Sequence, residues 1–147
     1  KRNFTILLSS LLLLSVITVQ SQAVRKVLVE EFTNASCGPC AVYGPAFTEK
    51  LRNQDEHVVV LKYQCEFPRV DPMKAQNKSD VSTRYNSTYP AVPAQGIPYC
   101  AMDGNKYNGN IANLTEQLLI NRPAVTSPLE MTLDHNLTEK NDSVAIS

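Results

Sequence analysis

The sequence predicts an α/β fold followed by the start of a β-rich region. Three observations carry that reading. A strand, a helix and a second strand succeed one another between Val27 and Tyr63. A short strand, an Asp-Gly turn and a returning strand follow from Tyr99, with a helical stripe behind them. After Pro128 the apolar residues switch to alternation.

The first 23 residues are expected to lie outside the fold. Lys1 and Arg2 precede an apolar run, Ile6 to Ile17, and Ser21-Gln22-Ala23 closes it with small residues. A basic start, a short apolar centre and a small-residue exit describe a secretory signal peptide. A membrane anchor fits less well, because the run is short and Ser9, Ser10 and Ser15 interrupt it. The chain is therefore expected to be exported: periplasmic, outer-membrane-associated or secreted. In such a compartment disulfides persist. Cys37, Cys40, Cys65 and Cys100 allow three pairings, and their spacing does not choose among them.

Val27-Leu28-Val29 reads as a buried strand, Thr33 to Ser36 as a polar loop. From Cys40, Gly44, Phe47 and Leu51 follow at helical spacing, with Pro45 expected to kink the helix. Val58 to Tyr63 is the clearest strand, which makes the opening a βαβ unit with parallel strands. A short helix is expected over 72–85, and a loop where Pro90 and Pro93 stand. Asp103-Gly104 marks a hairpin between Tyr99-Cys100-Ala101-Met102 and Lys106-Tyr107. Ile111, Leu114 and Leu118 then form a helical stripe, with Asn110 as its N-cap. Leu129, Met131 and Leu133 alternate, as do Val144 and Ile146. The expected organisation is thus a signal peptide over 1–23, a folded α/β domain over 24–126, and the start of a sandwich-like β-rich domain over 127–147.

Composition excludes some functions. The 147 residues carry 14 basic and 14 acidic side chains and no basic run, so nucleic-acid binding has no electrostatic footprint. His57 and His135 sit in no ligand cluster. Cys37-Gly38-Pro39-Cys40 admits four readings: zinc, a structural disulfide, haem attachment and redox chemistry. Zinc would need Cys65 and Cys100, which are single and far apart, and haem would need a histidine where Ala41 stands. The redox reading is favoured. A helix start stabilises a thiolate on Cys37, and two intervening residues let Cys40 reach it. Pro39 suits a first helical turn, where its missing N–H is not needed.

Val27-Leu28-Val29-Glu30-Glu31-Phe32, Cys37-Gly38-Pro39-Cys40 with Pro45, and Gly96-Ile97-Pro98 before a strand together resemble the thioredoxin family over residues 24–122. With the leader and the β-rich continuation, the chain looks most like secreted, outer-membrane-protein-related bacterial proteins with an N-terminal thioredoxin-like domain. The resemblance implies a central mixed sheet flanked by helices and a thiol–disulfide oxidoreductase, reductase-like in its Gly-Pro pair. Cys37 would attack, and Cys40 would resolve, closing a redox-active disulfide. Pro98 would be a cis-proline, leaving the Ile97 backbone to pair with an extended substrate. Glu31 would be a buried acid carrying the Cys40 proton. Glu30 would face the other way, as a solvated strand-end charge. No cofactor and no metal are implied. The partners would be protein or peptide disulfides and an electron donor, with membrane association only through other parts of the protein.

Two features depart from the family. Ser36 stands where the family often has tryptophan, and Asn34-Ala35-Ser36 forms a sequon; the reading preferred for it is polar loop chemistry. The missing aromatic leaves a second function in view, a non-enzymatic secreted or outer-membrane-associated binding protein that reuses the domain. Cys65 and Cys100 are expected either to pair through loop movement or to stay as two buried thiols.

Overall fold

The computed structural model describes residues 24–127 and two short strands beyond them, residues 135–137 and 144–146. The signal segment and the alternating run Leu129, Met131, Leu133 lie outside the described residues. The chain divides into two compact units, one of them Val24–Val125. In the other, β5 (His135–Leu137) pairs antiparallel with β6 (Val144–Ile146).

The first unit is α/β, a four-stranded mixed sheet flanked by helices, in the order β2-β1-β3-β4. β1 (Val27–Thr33) and β2 (Val58–Gln64) run parallel from Val27 opposite Val58 to Thr33 opposite Gln64. Their β-branched sequences suit a pleated, half-buried surface. β3 (Tyr99–Met102) lies antiparallel on the other edge of β1, and β4 (Tyr107–Asn110) returns beside it. The turn between them places Asp103 and Gly104 at positive φ, 44° and 75°, the backbone region this dipeptide favours in hairpins. Asp103 also accepts from Leu28 N–H at 3.0 Å and donates its own N–H to Leu28 O at 2.8 Å, which ties the hairpin to the central strand.

α1 (Gly38–Arg52) covers one face of the sheet. Val27, Val29, Phe47, Leu51, Cys100, Met102, Ile111 and Leu119 form the core there. α1 is one continuous helix through Pro45. The opposite face buries Phe32 among Tyr63, Tyr85, Tyr89 and Tyr99, with ring centroids 5.3–6.4 Å apart. Such offset and edge-on contacts add about 0.5–1.5 kcal/mol each beyond area burial, and Phe32 is the ring common to all four.

Three expectations need correction. The segment read as one short helix is a 3₁₀ turn at Met73–Gln76, then α2 (Lys78–Thr83), then a π-helical turn at Arg84–Thr88. The Pro90/Pro93 segment is not a loop but α3 (Ala91–Gln95). Pro90 occupies the N-cap and Pro93 the first turn, where no intrahelical N–H is required, and Val92 is fully buried. The final stripe divides into a 3₁₀ turn at Ile111–Asn113, capped by the Asn110 side chain, and α4 (Glu116–Asn121), capped by Thr115. Because the axis breaks between them, the buried residues are Ile111, Leu114 and Leu119, while Leu118 is exposed.

Candidate functional site

Cys37 and Cys40 form a disulfide. Cys37 is the N-cap of α1, with extended backbone, and its Sγ accepts the Cys40 N–H at 3.1 Å. Gly38 and Pro39 occupy the first turn, which carries no acidic residue. One of the donors left free at a helix start is therefore aimed at the first sulfur of the pair.

The site draws on three further segments. Cys37 Sγ lies 3.8 Å from the Ile97 carbonyl oxygen, so the residue expected to meet an extended substrate is brought to the first sulfur. The Ile97–Pro98 peptide is cis and Pro98 is buried. Asn34 shapes the turn before Cys37. Its Oδ1 accepts from Ser36 N–H at 2.6 Å, and its backbone carbonyl accepts from Cys37 N–H at 3.0 Å. Its Nδ2 donates to Cys65 O at 2.6 Å and Arg69 O at 2.7 Å. Asn34 is 4% exposed, so a glycan on this sequon is incompatible with the folded turn. Asp71, 1% exposed, completes the frame by accepting from Ala35 N–H at 2.8 Å and Met73 N–H at 2.8 Å. Reading the sequence for chemistry missed both roles. The Asn-x-Ser pattern offers a signal for the first, since Asn accepts from the backbone two residues on in an Asx-turn. Nothing near Asp71 marks the second.

The two glutamates are placed unexpectedly. Glu31 shares the α1 face with Val27 and Val29; it is buried, and Lys62 Nζ stands 3.0 Å from its Oε2. No hydrogen bond between Glu31 and Cys40 is formed. Glu30, expected to be a solvated strand-end charge, is equally buried at 2% exposure. It accepts from Tyr63 Oη at 3.0 Å and from Tyr89 Oη, with Arg84 Nε at 3.6 Å. The physical reason is that β1 is an interior strand with helices over both faces, so neither glutamate reaches solvent. Burial, then the bond to Glu30, holds the phenols of Tyr89 and Tyr63 above the ordinary tyrosine range.

Cys65 and Cys100 are free and buried. Cys65 belongs to the aromatic core and Cys100 to the α1 core, on opposite faces of the sheet with β1 between their strands. Of the two alternatives the sequence left open, a disulfide between them or two buried thiols, the structure shows the second. Burial pushes both thiols up to about 12, with Glu31 adding to the effect at Cys100, so they are poor nucleophiles. Among the described residues no group of three or more His, Cys, Asp or Glu could hold a metal ion, and no helix is long and apolar enough to cross a membrane.

No protein-family model matches the chain, and no curated protein does. A crystal structure of a structural-genomics target protein from Agrobacterium tumefaciens is similar at a TM-score of 0.46 and 22% identity. The match covers 71% of this chain and 46% of that one, so the chain spans less than half of that protein's length.

Proposed function

We propose that the chain is an exported thiol–disulfide oxidoreductase with a thioredoxin-like fold, reductase-like in direction, acting on protein or peptide disulfides. The observation that carries this reading is the sulfur of Cys37 at the start of α1, 3.1 Å from the Cys40 N–H and 3.8 Å from the Ile97 carbonyl. In the reduced protein Cys37 is the thiolate that attacks a substrate disulfide. The mixed disulfide is then displaced by Cys40, which releases the reduced substrate and re-forms the internal bond. Resetting the pair requires two electrons from an external thiol donor. Glu31 lies on the face that α1 covers and is the proposed proton carrier for Cys40. The adjoining Ile97 backbone is the proposed docking strand for the substrate chain.

The test is reduction of a protein disulfide by the full chain, with dithiothreitol as donor. Cys37→Ser is expected to abolish the catalysed rate, and Cys40→Ser to trap a mixed disulfide. Unchanged turnover by the Cys37→Ser protein would remove the reading and leave the binding-protein alternative.

A further inference from the structure

We propose that Asp71 is a positioning residue that keeps the Cys37–Cys40 pair reducing, by holding the turn before Cys37 and withholding one of its backbone donors from the sulfur. The inference rests on the redox reading of the pair and names its regulator.

The turn into Cys37 has backbone N–H groups that could face a thiolate. Those of Ala35, Ser36 and Cys37 are already engaged, the last with Asn34 O at 3.0 Å. Ala35 N–H donates to Asp71 Oδ2 at 2.8 Å, and Ser36 N–H donates to Asn34 Oδ1 at 2.6 Å. Pro39 has no N–H. The Cys40 N–H, at 3.1 Å, remains as the donor to Cys37 Sγ. The same frame places a buried carboxylate against the amide two residues before the attacking sulfur. Lys74, three residues on, is engaged with Glu66 at 3.0 Å. The loop carrying Asp71 cannot drift away, because Asn34 also grips it at Arg69 O and Cys65 O.

A thiolate on Cys37 is stabilised by donors and opposed by a nearby negative charge. Asp71 reduces the first and supplies the second. Both effects disfavour the reduced, ionised form relative to the disulfide, and so lower the reduction potential. Replacing the carboxylate by a neutral group frees or weakens the hold on the Ala35 amide and removes the charge.

The experiment equilibrates the full chain with dithiothreitol at about pH 8.5, where an ordinary cysteine is half ionised. Dithiothreitol gives two electrons and two protons to the Cys37–Cys40 disulfide and closes to its own cyclic disulfide. Acid quenching, alkylation and peptide mapping count the two forms at Cys37 and Cys40 alone. Asp71→Asn and Asp71→Ser are each expected to raise the equilibrium constant for reduction at least threefold. A tenfold rise corresponds to about 30 mV. A rise below threefold, or a fall, in the folded variants overturns the inference, even if their thermal stability drops. Should neither variant fold, Asp71→Glu, which keeps the carboxylate, is read in the same way: a constant within threefold of the parent's is expected, and a larger rise overturns the inference. The equilibrium is read without any catalytic assay. An inactive protein whose constant still shifts would sink the proposed function and keep this inference.

Discussion

Each face of β1 buries one glutamate and one cysteine, and the two faces treat them differently. On the aromatic face Glu30 is enclosed by two tyrosine hydroxyls and a guanidinium, with Cys65 in the same layer. On the α1 face Glu31 has one ammonium, contributed by the half-exposed Lys62, with Cys100 opposite it on β3. Adjacent residues of the same type, equally buried, are thus a structural node on one side and a lightly held acid on the other. A buried carboxylate with several directed donors is fixed in place; one with a single half-exposed partner, itself shared with Thr48, is held by fewer bonds.

The largest expected effect tests whether the Glu30 node supports the fold. Glu30→Ala leaves the buried Tyr89 hydroxyl and the half-buried Tyr63 hydroxyl without their acceptor, and each bond lost to a buried charge costs about 1.5–3 kcal/mol, while the half-exposed Arg84 adds little because solvent screens it. Urea denaturation should show that loss, while Glu31→Ala should cost clearly less. Equal losses would end the distinction between the faces. Tyr89→Phe is the next step down: it removes one donor to a buried charge, about 1.5–3 kcal/mol. Tyr63→Phe, at a half-buried position, should cost less than Tyr89→Phe in the same titration.

The cysteines sharpen the comparison through pH. Unfolded thiols ionise near about 8.5, whereas Cys65 and Cys100 are held up to about 12 by burial. Between those values the folded protein binds more protons than the unfolded chain, so stability is fully present below about pH 8.5 and falls as pH rises towards 12. The slope is at most about 1.4 kcal/mol per pH unit for each thiol. Denaturation curves at pH 8.0, 8.5 and 9.0, below the range where unfolded tyrosines ionise, should show the onset of the fall, and Cys65→Ala and Cys100→Ala should each remove about half of it. A fall unaffected by one of the two would mean that its face admits water before global unfolding.

What the sequence made legible follows from where a single local signal decided the outcome. Val58 to Val60 are β-branched and Tyr63 is aromatic, and Asp103-Gly104 is a turn by its own chemistry, so the strands and the hairpin could be read directly. The disulfide pair was legible because Cys-Gly-Pro-Cys stands between a strand and a helix. Glu30 was misread because alternation assumes a sheet with one wet face, and β1 has none. α3 was missed because proline was weighed as a breaker, although at an N-cap and in a first turn it is tolerated. Asp71 was invisible for a different reason: its partner, Ala35, is 36 residues away and takes part only through its backbone.

The smallest expected effect concerns stability, and it separates the acid's structural role from its chemical one. Lys62→Met removes a cation whose side chain is 43% exposed, so solvent screening limits the loss to about 1 kcal/mol or less. Glu31→Gln should be similarly mild in urea, since it removes the charge but keeps the shape. Their effects on exchange should diverge. If Glu31 carries the Cys40 proton, Glu31→Gln slows resolution of the mixed disulfide about 10²-fold or more, while Lys62→Met leaves the carboxylate in place and changes the rate far less. Stopped-flow decay of a Cys37 mixed disulfide, followed from pH 6 to 9, reads both rates. Equal rates for Glu31→Gln and the parent protein across that range would reduce Glu31 to the counter-ion of Lys62, and the chemistry of the site would then rest on the two sulfurs and the backbone around them.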